Sequence, residues 1–117
     1  MQRREPRLFL EDIDDAISQI LEYTSGGVVE FYESRLVQDA VIRQFTIIGE
    51  AIRNLPQDLL ARAPEIAWRG AVGMRNALVH GYFSIDPGIV WESIERDLPQ
   101  LRAEVRRLLH DLGEEDS

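Results

Sequence analysis

The chain has 117 residues, 44% of them apolar, and a formal net charge of −8, which suits one globular domain with a single core and excludes a chain disordered throughout. It contains no cysteine, so disulfides, thiolate zinc sites and cysteine nucleophiles are excluded. No apolar run approaches the roughly 18 residues of a membrane span, and Leu8-Phe9-Leu10 is too short for a signal-peptide core, so a cytoplasmic protein that does not engage a membrane is expected.

Helical periodicity runs through nearly the whole chain. Phe9, Ile13, Ala16-Ile17 and Ile20-Leu21 recur three and four apart, predicting a first helix from about Arg7 to Tyr23 with one buried face. Thr24-Ser25-Gly26-Gly27 is expected to end it, because glycine accepts the left-handed conformation beyond a helix end. Val28-Val29-Glu30-Phe31-Tyr32 has the composition of a strand but no second strand to pair with. A second helix is predicted from about Glu33 to Leu55, with a stripe of Val37, Val41, Phe45, Ile48, Ile52 and Leu55. Pro56 stops it. Gly49 sits inside that helix at a cost of about 1 kcal/mol relative to alanine, which points to close approach of another helix.

Pro56-Gln57-Asp58 turns the chain into a brief helical piece around Leu59-Leu60-Ala61. The third helix is predicted from about Pro64, a residue suited to a first turn, to His80, with Gly81 beyond its end. Ser84-Ile85-Asp86-Pro87 reads as a loop and a new start, Asp86 capping and Pro87 in the first helical position. Ile94, Leu98, Leu101, Val105, Leu108 and Leu112 stay in phase through Pro99, so a kink or break is expected near Asp97-Leu98, both pieces covering one core. The predicted fold is all-α: an up-and-down bundle of four to five helices, the last broken near Pro99, in one domain over residues 1–117 with flexible ends at 1–6 and 113–117.

The acidic balance argues against a nucleic-acid partner, whose affinity rests on neutralising phosphates. The distribution softens this. Between residues 62 and 82 stand Arg62, Arg69 and Arg75 against Glu65 alone, a local net of +2. All 13 basic residues are arginine, each permanently charged and able to fork onto phosphate or carboxylate.

Within this region Arg75-Asn76-Ala77-Leu78-Val79-His80-Gly81-Tyr82 gathers a fixed cation, an amide, an imidazole and a phenol. Such a set can move a proton near neutral pH and hold charge that builds on a phosphate; if the substrate is RNA, as the resemblance given below implies, its own 2′-hydroxyl is the nucleophile. Histidine, ionising near pH ~6.5, carries the proton; arginine holds the charge. On an ideal helix Arg75 and His80 stand about 140° apart, whereas Asn76 and His80 share a face. Asn76 is therefore expected to orient the imidazole or bind phosphate while the Arg75 side chain reaches around. One copy brings one such histidine; a second copy across a two-fold axis would supply both an acid and a base.

Plainer readings stand beside these. His80 can be a helix-end histidine favoured by the dipole. Arg75 can bridge to an acid such as Glu50, and both roles can hold at once. Glu50, beside the apolar stripe of the second helix, can support the arginine or histidine, or face solvent. Asn76 can be a surface residue and Tyr82-Phe83 a packing pair. His110 reads as solvated near the end of the last helix, Trp68 and Trp91 as core or dimer anchors. Asp12 and Asp15 read as a solvated acidic face. No H-x-x-x-H, phosphate loop or serine elbow is present, and no metal site is expected.

The same residues resemble the R-x(4)-H-x-Y signature of HepT toxins within the HEPN ribonucleases. The likeness extends over most of the chain, through Ile47-Ile48-Gly49-Glu50-Ala51, Pro64-Glu65-Ile66-Ala67-Trp68, Gly73 to Phe83, Val90-Trp91 and Asp97-Leu98-Pro99-Gln100-Leu101. It implies a helical bundle that forms a homodimer. It also implies a metal-independent endoribonuclease acting as the toxin of a toxin–antitoxin pair. Arg75 and His80 would be the catalytic pair, with RNA as substrate; Asn76 is added to them from helix spacing, and Glu50 and Arg69 are supporting candidates read from the sequence. The implied partner is a minimal nucleotidyltransferase (MNT) antitoxin that uses ATP and magnesium to attach AMP to Tyr82; the chain itself needs no cofactor. Gly81 departs from the family, which often has a polar or acidic residue there. The alternative is a non-catalytic scaffold that dimerises and docks the nucleotidyltransferase, which the −8 charge favours. A third reading is a nucleotide-binding helper using Arg69 and Arg75 for phosphate.

Overall fold

The computed structural model describes residues 4–81 and 86–115. Seven helices follow one another among them: α1 (Pro6–Tyr23), α2 (Val28–Glu33), α3 (Arg35–Arg53), α4 (Gln57–Leu60), α5 (Glu65–His80), α6 (Pro87–Arg96) and α7 (Leu98–Glu115). There is no strand among these residues. The four long helices close a ring: α1 packs on α3 and α7, and α5 packs on the other sides of both. This is the expected bundle, and the short helices α2, α4 and α6 cover its ends and flank.

Helix α1 buries Leu10, Ile13, Ala16, Ile17 and Ile20. They meet Val41, Phe45, Ile48 and Ile52 of α3 and Leu101, Val105 and Leu108 of α7 in one core. Each large side chain removed from water there contributes about 1.5–3 kcal/mol before entropy is counted. Leu21 departs from the expected stripe and is exposed. It lies one residue past the saturated inward face, at the rim of a shallow groove with Pro99 and Arg102.

The glycines after α1 act differently from the expectation. Thr24 ends the helix, its amide and hydroxyl both donating to the Ile20 carbonyl at 3.0 and 2.7 Å. The left-handed residue is Gly27, with φ of 92°, and it starts α2 instead of closing α1. The strand-like stretch that follows is helical. Phe31 turns inward against Trp91 of α6, ring centroids 5.3 Å apart. Gln38 of α3 donates to the Phe31 carbonyl at 2.9 Å, satisfying the end of α2. Ser34 then caps α3 through a hydrogen bond from the Val37 amide at 3.1 Å, the usual way to satisfy an orphan donor.

The break between α6 and α7 falls at Asp97, as the phase-keeping stripe predicts. Asp97 accepts from the Ser93 hydroxyl at 2.7 Å and the Arg96 Nε at 3.1 Å. Pro99 occupies the second position of α7, where a missing N–H costs nothing. Gly70 of α5 lies against this junction, and a Cβ there would collide with the Asp97 carboxylate.

Candidate active site

Helix α5 carries the site because its two faces differ. Ala71, Met74 and Leu78 point inward, while Arg69, Asn76, Ala77 and His80 are exposed. Asn76 and His80, one turn apart, share the outer face as expected. His80 is the last residue of the helix, where the partial negative charge of the helix end favours a cation. Gly81 follows with φ of −131°, so no left-handed cap forms; its amide donates to the Ala77 carbonyl at 2.7 Å.

Arg75 lies between the two faces, on the side toward α3. Its side chain does not swing toward His80. It lies back on α3, where the Glu50 carboxylate accepts from Nη2 at 2.7 Å and from Nε at 3.1 Å, both on one oxygen. Nη1 approaches the Asn76 Oδ1 at 3.5 Å. The arginine side chain retains 18% of its exposure and the glutamate 49%. Gly49 explains how the arginine fits: a Cβ at that position would overlap the Cβ and Cγ of Arg75. The close approach expected at Gly49 is therefore made by the arginine stem. Arg53 reaches the same Glu50 oxygen at 3.9 Å.

Arg69 is paired with Glu65 at 3.7 Å on the exposed surface of α5. Roughly two turns separate it from Asn76 on the same helix face. It borders a shallow depression with Trp68, Val72, Gly73 and Asn76. A larger groove of about 470 Å³ runs between α5, α6 and the start of α7, with Gly70, Gly73 and Ala77 in its wall and Ile66 and Ile89 at its edge. Both isoleucines are more than half exposed. Sequence periodicity gave no sign of this groove, whose walls come from three helices.

Tyr82, the expected modification target, lies outside the described residues, as does Phe83. His110 is exposed and pairs with Glu114 at 3.1 Å, on α7 rather than α5. Asp12 pairs with Arg4. Trp68 is a core residue whose Nε1 donates to the Leu60 carbonyl at 3.0 Å, joining α5 to α4. The local positive balance read along residues 62–82 also changes, since Glu50 enters it from α3.

Known proteins resemble the chain over most of its length. The family model described as "Ribonuclease HepT-like" matches residues 13–108. A Methanocaldococcus jannaschii protein named "Gamma-glutamylcyclotransferase and putative RNase" is 37% identical over 111 residues, 94% of this chain and 50% of that one. A second protein of that organism, named "Putative RNase", is 33% identical over 117 residues, covering 99% of this chain and 97% of its own. A Thermococcus cleftensis protein named "Probable ribonuclease HepT" is 39% identical over 107 residues, 91% of this chain and 97% of its own. The chain thus spans half of the first relative and nearly all of the other two. No solved structure matches it.

Proposed function

The chain belongs to the ribonuclease HepT-like family, and we propose that it is an endoribonuclease that cuts RNA through the substrate's own 2′-hydroxyl, without a metal ion. The observation that carries this reading is the end of α5, where an exposed His80 and Asn76 share a face beside the Arg75 guanidinium.

In this mechanism an imidazole removes the 2′-hydroxyl proton as the oxygen attacks phosphorus. The P–O5′ bond breaks, and the leaving oxygen takes a proton from an imidazolium. The products are a 2′,3′-cyclic phosphate and a 5′-hydroxyl. Arg75 and Asn76 stabilise the charge that builds on the non-bridging oxygens, and Arg69 contacts a neighbouring phosphate. Base and acid come from His80 of two copies in a homodimer. The groove beside α5 supports such pairing: Gly73, with open space above it, and Ala77 leave room for close approach, and Ile66 and Ile89 offer apolar area.

We further assign the protein the role of a toxin, silenced when a nucleotidyltransferase antitoxin joins the Tyr82 phenol to the α-phosphate of ATP and releases pyrophosphate. The test is RNA cleavage in chelator by wild type and His80→Ala, with intact mass measured after expression with and without a nucleotidyltransferase partner. Cleavage abolished by His80→Ala establishes the enzyme. An added AMP mass on Tyr82 with loss of cleavage establishes the silencing. Absence of cleavage in every unmodified form leaves the scaffold reading, which the −8 charge favours.

A further inference from the structure

We propose that Glu50, with Gly49 beneath it, is a positioning residue that sets the Arg75 guanidinium with one edge toward the reacting phosphate; this rests on the nuclease reading above. An arginine has two edges that can fork onto an oxyanion. One is formed by Nε and Nη2, the other by Nη1 and Nη2. Glu50 occupies the first edge completely, through Nη2 at 2.7 Å and Nε at 3.1 Å. The second edge carries only the long contact from Nη1 to the Asn76 Oδ1 at 3.5 Å, on the Asn76 side of α5. That is the face His80 shares.

Two consecutive residues of α3 hold the arginine at both ends. Gly49 lets the stem lie directly on the helix, since a side chain there would overlap its Cβ and Cγ. Glu50 fixes the head. A long, flexible side chain is thereby ordered before substrate arrives, so less freedom is lost when charge develops on phosphorus. Arg53, 3.9 Å from the same carboxylate oxygen, offsets the glutamate charge, so the cluster of two arginines and one glutamate remains cationic.

The carboxylate of this pair is 49% exposed and screened by solvent, while the arginine side chain is 18% exposed. A structural bridge and a positioning device differ in what their loss changes. Loss of a bridge lowers the melting temperature. Loss of positioning lowers kcat at nearly unchanged KM and melting temperature.

The experiment compares wild type, Glu50→Ala, Glu50→Gln, Arg75→Ala and the double variant Glu50→Ala/Arg75→Ala on one RNA. The Arg75 Nε–H resonance is followed by NMR in parallel, assigned by its loss in Arg75→Lys. Glu50→Ala is expected to lower kcat by about 10- to 100-fold with KM within about twofold. Glu50→Gln, which still presents an oxygen to Nε and Nη2, recovers most of the loss. In the Arg75→Ala background Glu50→Ala has no further effect. The Arg75 Nε–H resonance is protected from exchange in wild type and exposed in Glu50→Ala.

The proposal is overturned by unchanged kcat in Glu50→Ala, by a loss that persists in the Arg75→Ala background, or by no recovery in Glu50→Gln. If wild type cuts no RNA, the nuclease reading fails by itself. The arginine resonance then still decides whether Glu50 fixes the guanidinium, and an unprotected Nε–H in wild type ends the proposal.

Discussion

Helix α3 packs against a different kind of neighbour on each side. Toward α1 it meets large aliphatic side chains, with Val41, Phe45, Ile48 and Ile52 closing on Leu10, Ile13, Ile17 and Ile20. Toward α5 it presents Gly49 and Glu50 to an arginine. The first seam is dry and holds the bundle together. At the second, Gly49 brings no side chain, so the arginine stem lies directly on α3 and its head is held by Glu50. Stability and site geometry thus reside on opposite sides of one helix, and each can be perturbed while the other is left nearly intact.

The largest stability effect belongs to the α1 side. Phe45→Ala should cost about 3–5 kcal/mol, the range for emptying a buried aromatic site, read by urea or thermal unfolding. A loss below about 1 kcal/mol would mean that the seam is not the core it looks to be.

On the α5 side the expected loss is in rate. His80→Ala should reduce RNA cleavage by about 10²- to 10⁴-fold, the contribution of a general acid or base. Its melting temperature should match wild type, because the side chain is exposed. A melting shift as large as that of Phe45→Ala would place His80 in the fold and erase the contrast.

Gly49→Ala sits on the boundary and should disturb both properties. Its methyl overlaps the arginine stem, so about 1–3 kcal/mol of stability is expected to go, together with a fall in kcat. Full activity with lost stability would show that the stem is free to move. A smaller change tests the surroundings: Ser34→Ala removes the side-chain cap of α3 and should cost about 1 kcal/mol without altering kcat. Smallest of all, Arg106→Ala breaks an exposed pair with Asp14 at 3.1 Å. It should shift stability by less than about 1 kcal/mol and leave RNA cleavage unchanged.

Most of the bundle was legible in the sequence. The long helices follow from apolar residues three and four apart. The break at Asp97 was visible because the stripe of Ile94, Leu98 and Leu101 keeps its phase through Pro99. Short pieces were harder. Val28–Glu33 has strand-like residues, and its helix depends on Gly27 and on Gln38 reaching back to the Phe31 carbonyl. Leu21 falls in the predicted stripe yet outside the core, because period alone cannot say where a buried face ends.

In the site, Arg75, Asn76 and His80 could be found because they sit within one local block, and helix geometry alone placed Asn76 with His80. The bridge from Arg75 to Glu50 was legible only as one of two readings of the arginine, and the structure makes it. Glu50 is 25 positions away, and its side chain reaches Arg75 only because α3 and α5 pack side by side. The same holds for Gly70, whose need to be glycine comes from Asp97 across the bundle.

By itself the sequence determined the helices, most of their ends and the chemistry available at the end of α5, since hydrogen bonds and apolar periodicity act over one or two turns. Only the tertiary structure decided which edge of Arg75 Glu50 holds, because that depends on how closely two helices approach at Gly49.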